Sequence, residues 1–413
     1  MAQKYEHKNE NTVELDSIEG DVEIRSCGTL APKQGNEINI SGALIVYEDL
    51  IIDGNLRCDR LELKTRDRIE VRGNLVVAKS IDARKGSIEV EGNCEARDIE
   101  AGAALSVEGN LKCIVAKAGA SIKVEGDAEA QRLTGGASVK IGGLCKVERI
   151  AGGASISIGG NIEAEEFDAG GSGKAVSGVI KKVSVGGSFK AEEAIEIDDL
   201  DVGGSASVGP GSKVRNIDIG GTFKAHGELE FGEIDVGGTV KIMGNARGEA
   251  IDVGGTVKAE GDLSLTQGLN VGGTVAVLGN LKCDDKIKVG GTVKVEGRID
   301  TFRIIVGGEI AAAYIKASDG FRIGKRAEVR GFVESGEILI RERARTESLY
   351  GDDIRIEERA RVGSIYGRKI YLERDVIVEG EVLYTESLES ESGVAFKEEP
   401  RKVDSLPPPE QLK

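Results

Sequence analysis

One apolar pair recurs along this chain at nearly fixed intervals: Ile217 and Ile219, Ile234 and Val236, Ile251 and Val253, Leu269 and Val271, Ile287 and Val289. Followed by its second member, the column begins Ile52, Val71, Val90, Val107, Val124, Ile141, Ile158 and continues from Val185 and Val202 through Val306 and Ile323 to Leu372. That makes 19 copies, most of them 17 residues apart, with one step of 27. A single polar residue separates the two members, which is strand spacing, whereas a helical face would repeat every three or four residues. Seventeen residues are too few for a strand and a packed helix, and one copy cannot bury its own apolar face. Neighbouring copies must therefore stack. The repeat predicts an all-β fold, a single long parallel β-helix (β-solenoid) of about 19 coils of about 17 residues.

Glycine sets the frame of each coil. With the second residue of each Gly-Gly pair as zero (Gly143, Gly160, Gly187, Gly204, Gly221, Gly238, Gly255), positions two and four before it are apolar, and positions two and four after it usually are. These side chains are expected to point inward and to stack on their equivalents in the next coil. The glycines recur in every coil, and no helical pattern follows them, so they are read as corners and not as a phosphate-binding loop. Just after the glycine stand Asn55, Asn74, Asn93, Asn110 and Asn161, then Thr222, Thr239, Thr256, Thr274 and Thr292. They are expected to form outer ladders of stacked amides and hydroxyls. The lysines that follow (Lys190, Lys224, Lys241, Lys258, Lys294) argue against a flat, uncharged ice-binding face. Asp201, Asp218, Asp235 and Asp252 form a carboxylate column, read as solvated charge partly offset by the lysines; the calcium-binding nonapeptide is missing.

The repeat outweighs the length prior for a 413-residue chain, so residues 13–388 read as one domain. Within it, residues 13–50 read as irregular first coils, 169–178 as a loop insertion that accounts for the 27-residue step, and 321–374 as coils in which arginine and glutamate replace the double glycine. There Arg341, Arg343, Arg345, Arg355, Arg359, Arg361 and Arg368 are expected first to pair with interleaved glutamates from coil to coil and second to offer an anion-binding face. Residues 1–12 form a polar leader without the apolar segment of a secretory signal, and 389–413, with Pro400 and Pro407 to Pro409, read as a disordered, flexible tail.

These features narrow the function classes. A net charge of −16 argues against a general nucleic-acid binder. No apolar run approaches the roughly 20 residues of a membrane span, so any membrane contact is expected to be indirect and the location cytoplasmic. His7 and His226 are the only histidines, and the six cysteines have no Cys-x-x-Cys spacing. No catalytic residue, metal ligand or cofactor site is therefore assigned, and an enzyme is not expected. Cys94 and Cys145 share a column three coils apart, roughly 14 Å at about 4.8 Å per coil, too far for a disulfide. Buried, reduced thiols are expected.

Both ends of such a stack, roughly 90 Å long at this rise, would expose strand edges, and no helical cap pattern is present. End-to-end assembly without nucleotide follows as the first functional reading, with Ile38, Ile40, Ile370, Tyr371, Leu372 and Phe396 as the candidate end residues. The alternative is a discrete scaffold that binds a protein partner through its charged face or its tail.

Coils such as Ile251-Asp-Val-Gly-Gly-Thr-Val-Lys-Ala-Glu-Gly261, the run Ser364-Ile-Tyr-Gly-Arg-Lys-Ile-Tyr-Leu-Glu-Arg374 and the following Glu379-Gly-Glu-Val-Leu-Tyr384 resemble the bactofilins, a polymer-forming cytoskeletal family, in its longer archaeal type. The likeness spans roughly Leu50 to Ser387. It implies a right-handed β-helix and self-assembly through terminal coils into non-polar filaments without ATP or GTP. The chain itself is then the main partner, with other cytoskeletal or envelope-associated proteins as further ones. Two features depart from the family pattern: the array is several times longer than the compact bactofilin core, and the leader lacks the short apolar membrane-targeting peptide of some members.

Overall fold

The computed structural model describes residues 4–8 and 10–412, and it is a parallel β-solenoid. About 23 turns are present, four more than the apolar column counts. The chain divides into two compact units, Met1–Gly204 and Ser205–Lys413.

Each coil of the first unit contributes three short inward-facing stretches, and each stretch stacks in register on the next coil. One ladder runs Leu56, Leu75, Cys94, Leu111, Ala128, Cys145, Ile162. A second runs Leu61, Ile81, Ile99, Ala116, Leu133, Ile150, Phe167, and a third Ile69, Ile88, Leu105, Ile122, Val139, Ile156. Most of these side chains are 0–2 % exposed, so the core is a column of aliphatic groups wrapped by backbone. Strand hydrogen bonds run from coil to coil, which suits near-continuous β-branched and apolar positions.

The first coils, 13–50, stack in register on the later ones, with a register shift between Ile40 and Ala43. Ile38 pairs with Leu56, Leu44 with Leu61 and Ile52 with Leu30, and the stack already begins at Lys4–His7, within the expected leader. Ile40 and Ile52 lie on different faces. Their 12-residue separation therefore says nothing about coil length, and longer corners stretch the early step to 22 residues, as between Val22 and Leu44.

The loop insertion at 169–178 is corrected. Ser172–Ala175 is a strand stacked between Ser155–Ile158 and Ser188–Ala191, and Asn161–Ala169 pairs residue by residue with Ser177–Val185. The 27-residue step arises because the column changes ladder. Ile158 belongs to the ladder of Val107, Val124 and Ile141, whereas Val185 stacks on Ala169, Gly152, Gly135 and Ala118. The coil lacks an apolar signature because its core positions are small. Gly173 sits between Phe167 and Phe189, whose rings meet edge to face at 5.8 Å, and a Cβ there would lie 2.6 Å from Phe167.

In the second unit the ladders run Ile217, Ile234, Ile251, Leu269, Ile287, Ile304, Phe321, Ile338, Ile354, Ile370, Leu388, and Phe223, Val240, Val257, Val275, Val293, Ile310, Val329, Thr346, Val362, Val378, Phe396. A third joins Leu229, Ala246, Leu263, Leu281, Ile299, Ile315, Val333, Leu349, Ile365 and Val382.

Where the double glycine disappears, the corner changes type. Arg326, Arg343, Arg359 and Asp375 adopt φ of 57–60° in successive coils, a left-handed turn built without glycine. Residues 389–402 do not leave the stack as a tail: Ala395–Phe396 pairs with Ile377–Val378, and Arg401–Lys402 with Leu383–Tyr384. Val394 and Phe396 supply the apolar contact that a polar composition hides.

Candidate assembly interface

In a stacked coil each strand is satisfied by neighbours on both sides, so the first and last coils carry the unpaired backbone groups. In the first unit that coil is Lys4–His7, Glu10–Leu15 and Ser17–Ile18. Among the described residues these strands pair on one side only, with Asp21–Ile24, Cys27–Pro32 and Glu37–Val46. Tyr5 and Ile18 are half-buried there. In the second unit the last coil is formed by Val382–Ser390, Ala395–Phe396 and Arg401–Lys402. Leu388, Val394 and Phe396 are half-buried, while Ile370 and Val378 one coil below are 2 % and 0 % exposed. Each terminal coil thus leaves apolar ladder residues half-covered, although Val13 and Leu15 on the first coil are 2 % and 6 % exposed.

Five of the six residues expected at the ends are not there. Ile38 and Ile40 are 0 % and 1 % exposed inside the first unit; Ile40 lies between Ile18 and Cys58. Ile370 and Leu372 are covered by Leu388 and Ser390. Tyr371 points outward, donates its hydroxyl hydrogen to Glu391 at 2.6 Å and carries the Arg355 guanidinium 5.4 Å from its ring. Phe396 alone lies on a terminal coil. The apolar column stops before the stack does, because the outermost coils hold fewer aliphatic residues.

Charge at the first coil is organised. Lys4 lies 2.7 Å from the carboxylate of Glu23 and Arg25 3.1 Å from it; together they hold the largely buried Glu23 below the usual carboxylate range against the opposing effect of burial. Arg25 also sits 4.5 Å from the centre of the Tyr47 ring.

The outer ladders follow the sequence in register but differ in chemistry. Asparagine amides do not simply stack: Oδ1 of Asn55, Asn74, Asn93 and Asn110 each accepts the backbone N–H of the next coil, at 2.7–2.9 Å. Asp127 passes the pattern to Leu144, and Asn245, Asp262 and Asn280 repeat it in the second unit. The threonines pair in order from Thr222 to Thr292, and Lys224 on Lys241 on Lys258 beside them. Asp218, Asp235 and Asp252 stack, and Asn270 closes the column by donating both of its contacts to Asp252 at 3.0 and 3.1 Å.

The arginine-rich coils pair from coil to coil as expected at Arg341 with Glu357 (3.3 Å), Arg355 with Glu373 (2.8 Å), Arg359 with Asp375 (3.7 Å), Arg361 with Glu379 (3.8 Å) and Arg368 with Glu386 (2.7 Å). Arg343 pairs within its own coil, with Glu342 at 3.5 Å, and Arg345 stacks on Arg361. Sequence reasoning missed that the glutamates here also act as caps: Glu357, Glu373 and Glu391 accept the backbone N–H of Glu342, Glu358 and Arg374. The spacing of these glutamates, one per coil just before the left-handed corner, is the signal that carries it.

All six cysteines are free. Burial pushes the thiols of Cys58, Cys94, Cys113 and Cys145 up to about 12, so they are protonated and unreactive at neutral pH. Among the described residues no group of three or more His, Cys, Asp or Glu side chains converges as a metal site, and no helix is long and apolar enough to cross a membrane.

No curated protein and no solved structure matches this chain. Residues 251–350, which lie wholly in the second unit and span six of its stacked coils, match a family model described as bactofilin, polymer-forming cytoskeletal. The stacked aliphatic ladders and glycine corners agree with that match, so residues 251–350 are similar to the bactofilin, polymer-forming cytoskeletal family.

Proposed function

We propose that this chain is a non-enzymatic structural protein of the cytoplasm that polymerises through its terminal coils, without nucleotide. The observation that carries the reading is the half-covered apolar side chains at each terminal coil: Tyr5 and Ile18 on the first, Leu388, Val394 and Phe396 on the last, beside strands with one open edge among the described residues. Adding another coil there would continue the ladder hydrogen bonds and bury those side chains, at roughly 25 cal/mol per Å² of apolar surface. Nothing in this step requires phosphate chemistry; its free energy comes from burial and strand pairing, the same terms that hold neighbouring coils together within each unit. Assembly of copies through like surfaces gives filaments without polarity.

Sedimentation velocity tests the reading. Phe396→Asp and Ile18→Asp place a charge on the outermost member of a ladder at each terminal coil, where a neighbouring coil covers it on one side only among the described residues. The wild-type chain is expected to sediment as a concentration-dependent distribution of large species, and each variant as a smaller, sharper one with unchanged far-UV circular dichroism. Wild-type protein that sediments as one small species at every concentration contradicts it.

A further inference from the structure

A diagonal stripe of aromatic side chains crosses the outside of the second unit. The inward ladder Ile299, Ile315, Val333, Leu349, Ile365, Val382 fixes which neighbours face outward. These are Tyr314 and Phe332 on one flank, then Tyr350, Tyr366 and Leu383 on the other. The rings of Tyr314 and Phe332 stack at 5.9 Å, Phe332 meets Tyr350 at 6.4 Å, Tyr350 pairs with Tyr366, and Tyr366 with Leu383; Arg298 closes the lower end 5.4 Å from Tyr314. Most outward residues elsewhere on the solenoid are exposed or half-buried. Here Tyr314 is 8 % exposed, and Phe332, Tyr366 and Leu383 are each 6 % exposed.

The segment that follows Lys402 accounts for part of this cover. Arg401–Lys402 pairs with Leu383–Tyr384 at the upper end of the stripe, and Val403 donates its backbone N–H to the Tyr384 carbonyl at 2.9 Å. Val403, Leu406, Pro407, Pro409 and Leu412 are then half-buried, although the segment has no strand partner. Pro408 has φ −58° and ψ 142°, the extended polyproline conformation, and a single 3₁₀ turn ends the run at Pro409–Gln411. Glu410 lies close enough to act on Tyr350: burial first, then the negative charges of Glu334, Asp352 and Glu410, raise that hydroxyl above its ordinary range. The segment thus starts beside Leu383 and Tyr384 at the upper end of the stripe, and its Glu410 comes near Tyr350.

An extended proline run on a row of aromatic rings is a recurring recognition mode, because the polyproline helix loses little entropy on binding and presents flat apolar faces to the rings. We propose that the stripe is a docking site for an extended proline-rich segment, occupied here by residues 403–412 as a strap that the same segment of a second copy can replace. Among the described residues, the one backbone hydrogen bond between 403–412 and the solenoid is that of Val403, so the strap is held by side chains and can exchange without opening a ladder. A linker of a residue or two gives the attached strap an effective concentration in the millimolar range, so exchange is visible once the attached strap is weakened. The inference stands apart from end-to-end assembly, since it concerns a flank and not a terminal coil.

The test uses full-length chains and a fluorescein-labelled peptide of residues 403–413, read by anisotropy. Leu406→Asp with Pro409→Asp disables the attached strap without touching the solenoid. This chain is expected to bind the peptide saturably, at least about tenfold more tightly than wild type, because wild type carries the tethered competitor. Adding Tyr350→Ala is expected to abolish the gain. A milder chain, Pro407→Gly with Pro408→Gly, loosens the strap if the charged variant does not fold, and its gain is expected to be smaller. Equal binding to wild-type and strap-disabled chains, no binding to either, or binding indifferent to Tyr350→Ala would each overturn the proposal.

Discussion

Gly307→Ala isolates what sets the distance between coils. Gly290, Gly307 and Gly324 form one corner column in the second unit, and a Cβ on Gly307 would stand 2.1 Å from the carbonyl oxygen of Gly290 and 3.1 Å from its carbon. Ordinary contact begins near 3.4 Å, so the coils must separate locally by about 1 Å against a rise of about 4.8 Å. Both atoms belong to backbone, and neither can rotate away. Overpacking of a well-packed site typically costs about 1–3 kcal/mol, and a backbone clash of this depth falls at the upper end. For a unit of about 200 residues, 1 kcal/mol moves Tm by roughly 2–4 °C, so a loss of about 6–12 °C is expected by calorimetry. Gly268→Ala is the matched control: its nearest atom is 3.8 Å away and its φ is not left-handed, so gaining a Cβ should leave Tm unchanged or slightly raised. Equal melting of the two variants would refute the argument that glycine is required for close approach at this corner.

Thr346 stands in an aliphatic ladder between Val329 and Val362 with its hydroxyl buried and unpaired, so Thr346→Val is expected to stabilise the second unit by about 1 kcal/mol in urea unfolding; no change would mean that the hydroxyl finds a partner. Asn93→Ala removes the acceptor of the Asn110 N–H, 2.8 Å away at an exposed corner, and should cost about 0.5–1 kcal/mol in the same assay, with Asn93→Asp retaining most of it. Thiols provide a pH test. Cys58, Cys94 and Cys145 keep their protons to about 12 when folded but ionise near 9.0 when unfolded, so above pH 9 the unfolded chain releases protons that the folded chain retains. Stability of the first unit is therefore complete below pH 9 and falls as pH rises, by roughly 1 kcal/mol per buried thiol at pH 10; a denaturation midpoint equal at pH 8 and pH 10 in the wild type, or a Cys94→Ala variant with the same alkaline slope, contradicts it.

The fold was legible because a two-residue alternation at a 17-residue period has one physical solution, and the paired ladders from Ile217 to Ile370 follow it. What escaped was whatever lacked bulk. The coil at 169–185 looked like an insertion because its core positions include Gly173 and Ala175, with the volume supplied by Phe167 and Phe189 from adjacent coils. The third ladder, from Leu229 to Val382, was overlooked because alanine and bulged corners blur its spacing from glycine. The candidate ends lie inside the stack for a related reason: the apolar column ends at Ile52 and Leu372, with Ile38 and Ile40 just before it, but Val13 and Leu15 below and Val394 and Phe396 above extend the stack with polar neighbours between them. The aromatic stripe does repeat at coil spacing, since Tyr314, Phe332, Tyr350 and Tyr366 stand 18, 18 and 16 residues apart, but its members change flank midway, so their alignment shows only in the folded chain.

Negative-stain electron microscopy of the purified full-length chain, with no nucleotide added, over a range of salt and protein concentrations, bears most directly on the assembly claim. The account predicts filaments in the wild type and their loss in Phe396→Asp and Ile18→Asp. Dispersed single particles of wild-type protein under every condition, or filaments that persist in both variants, would contradict assembly through the terminal coils.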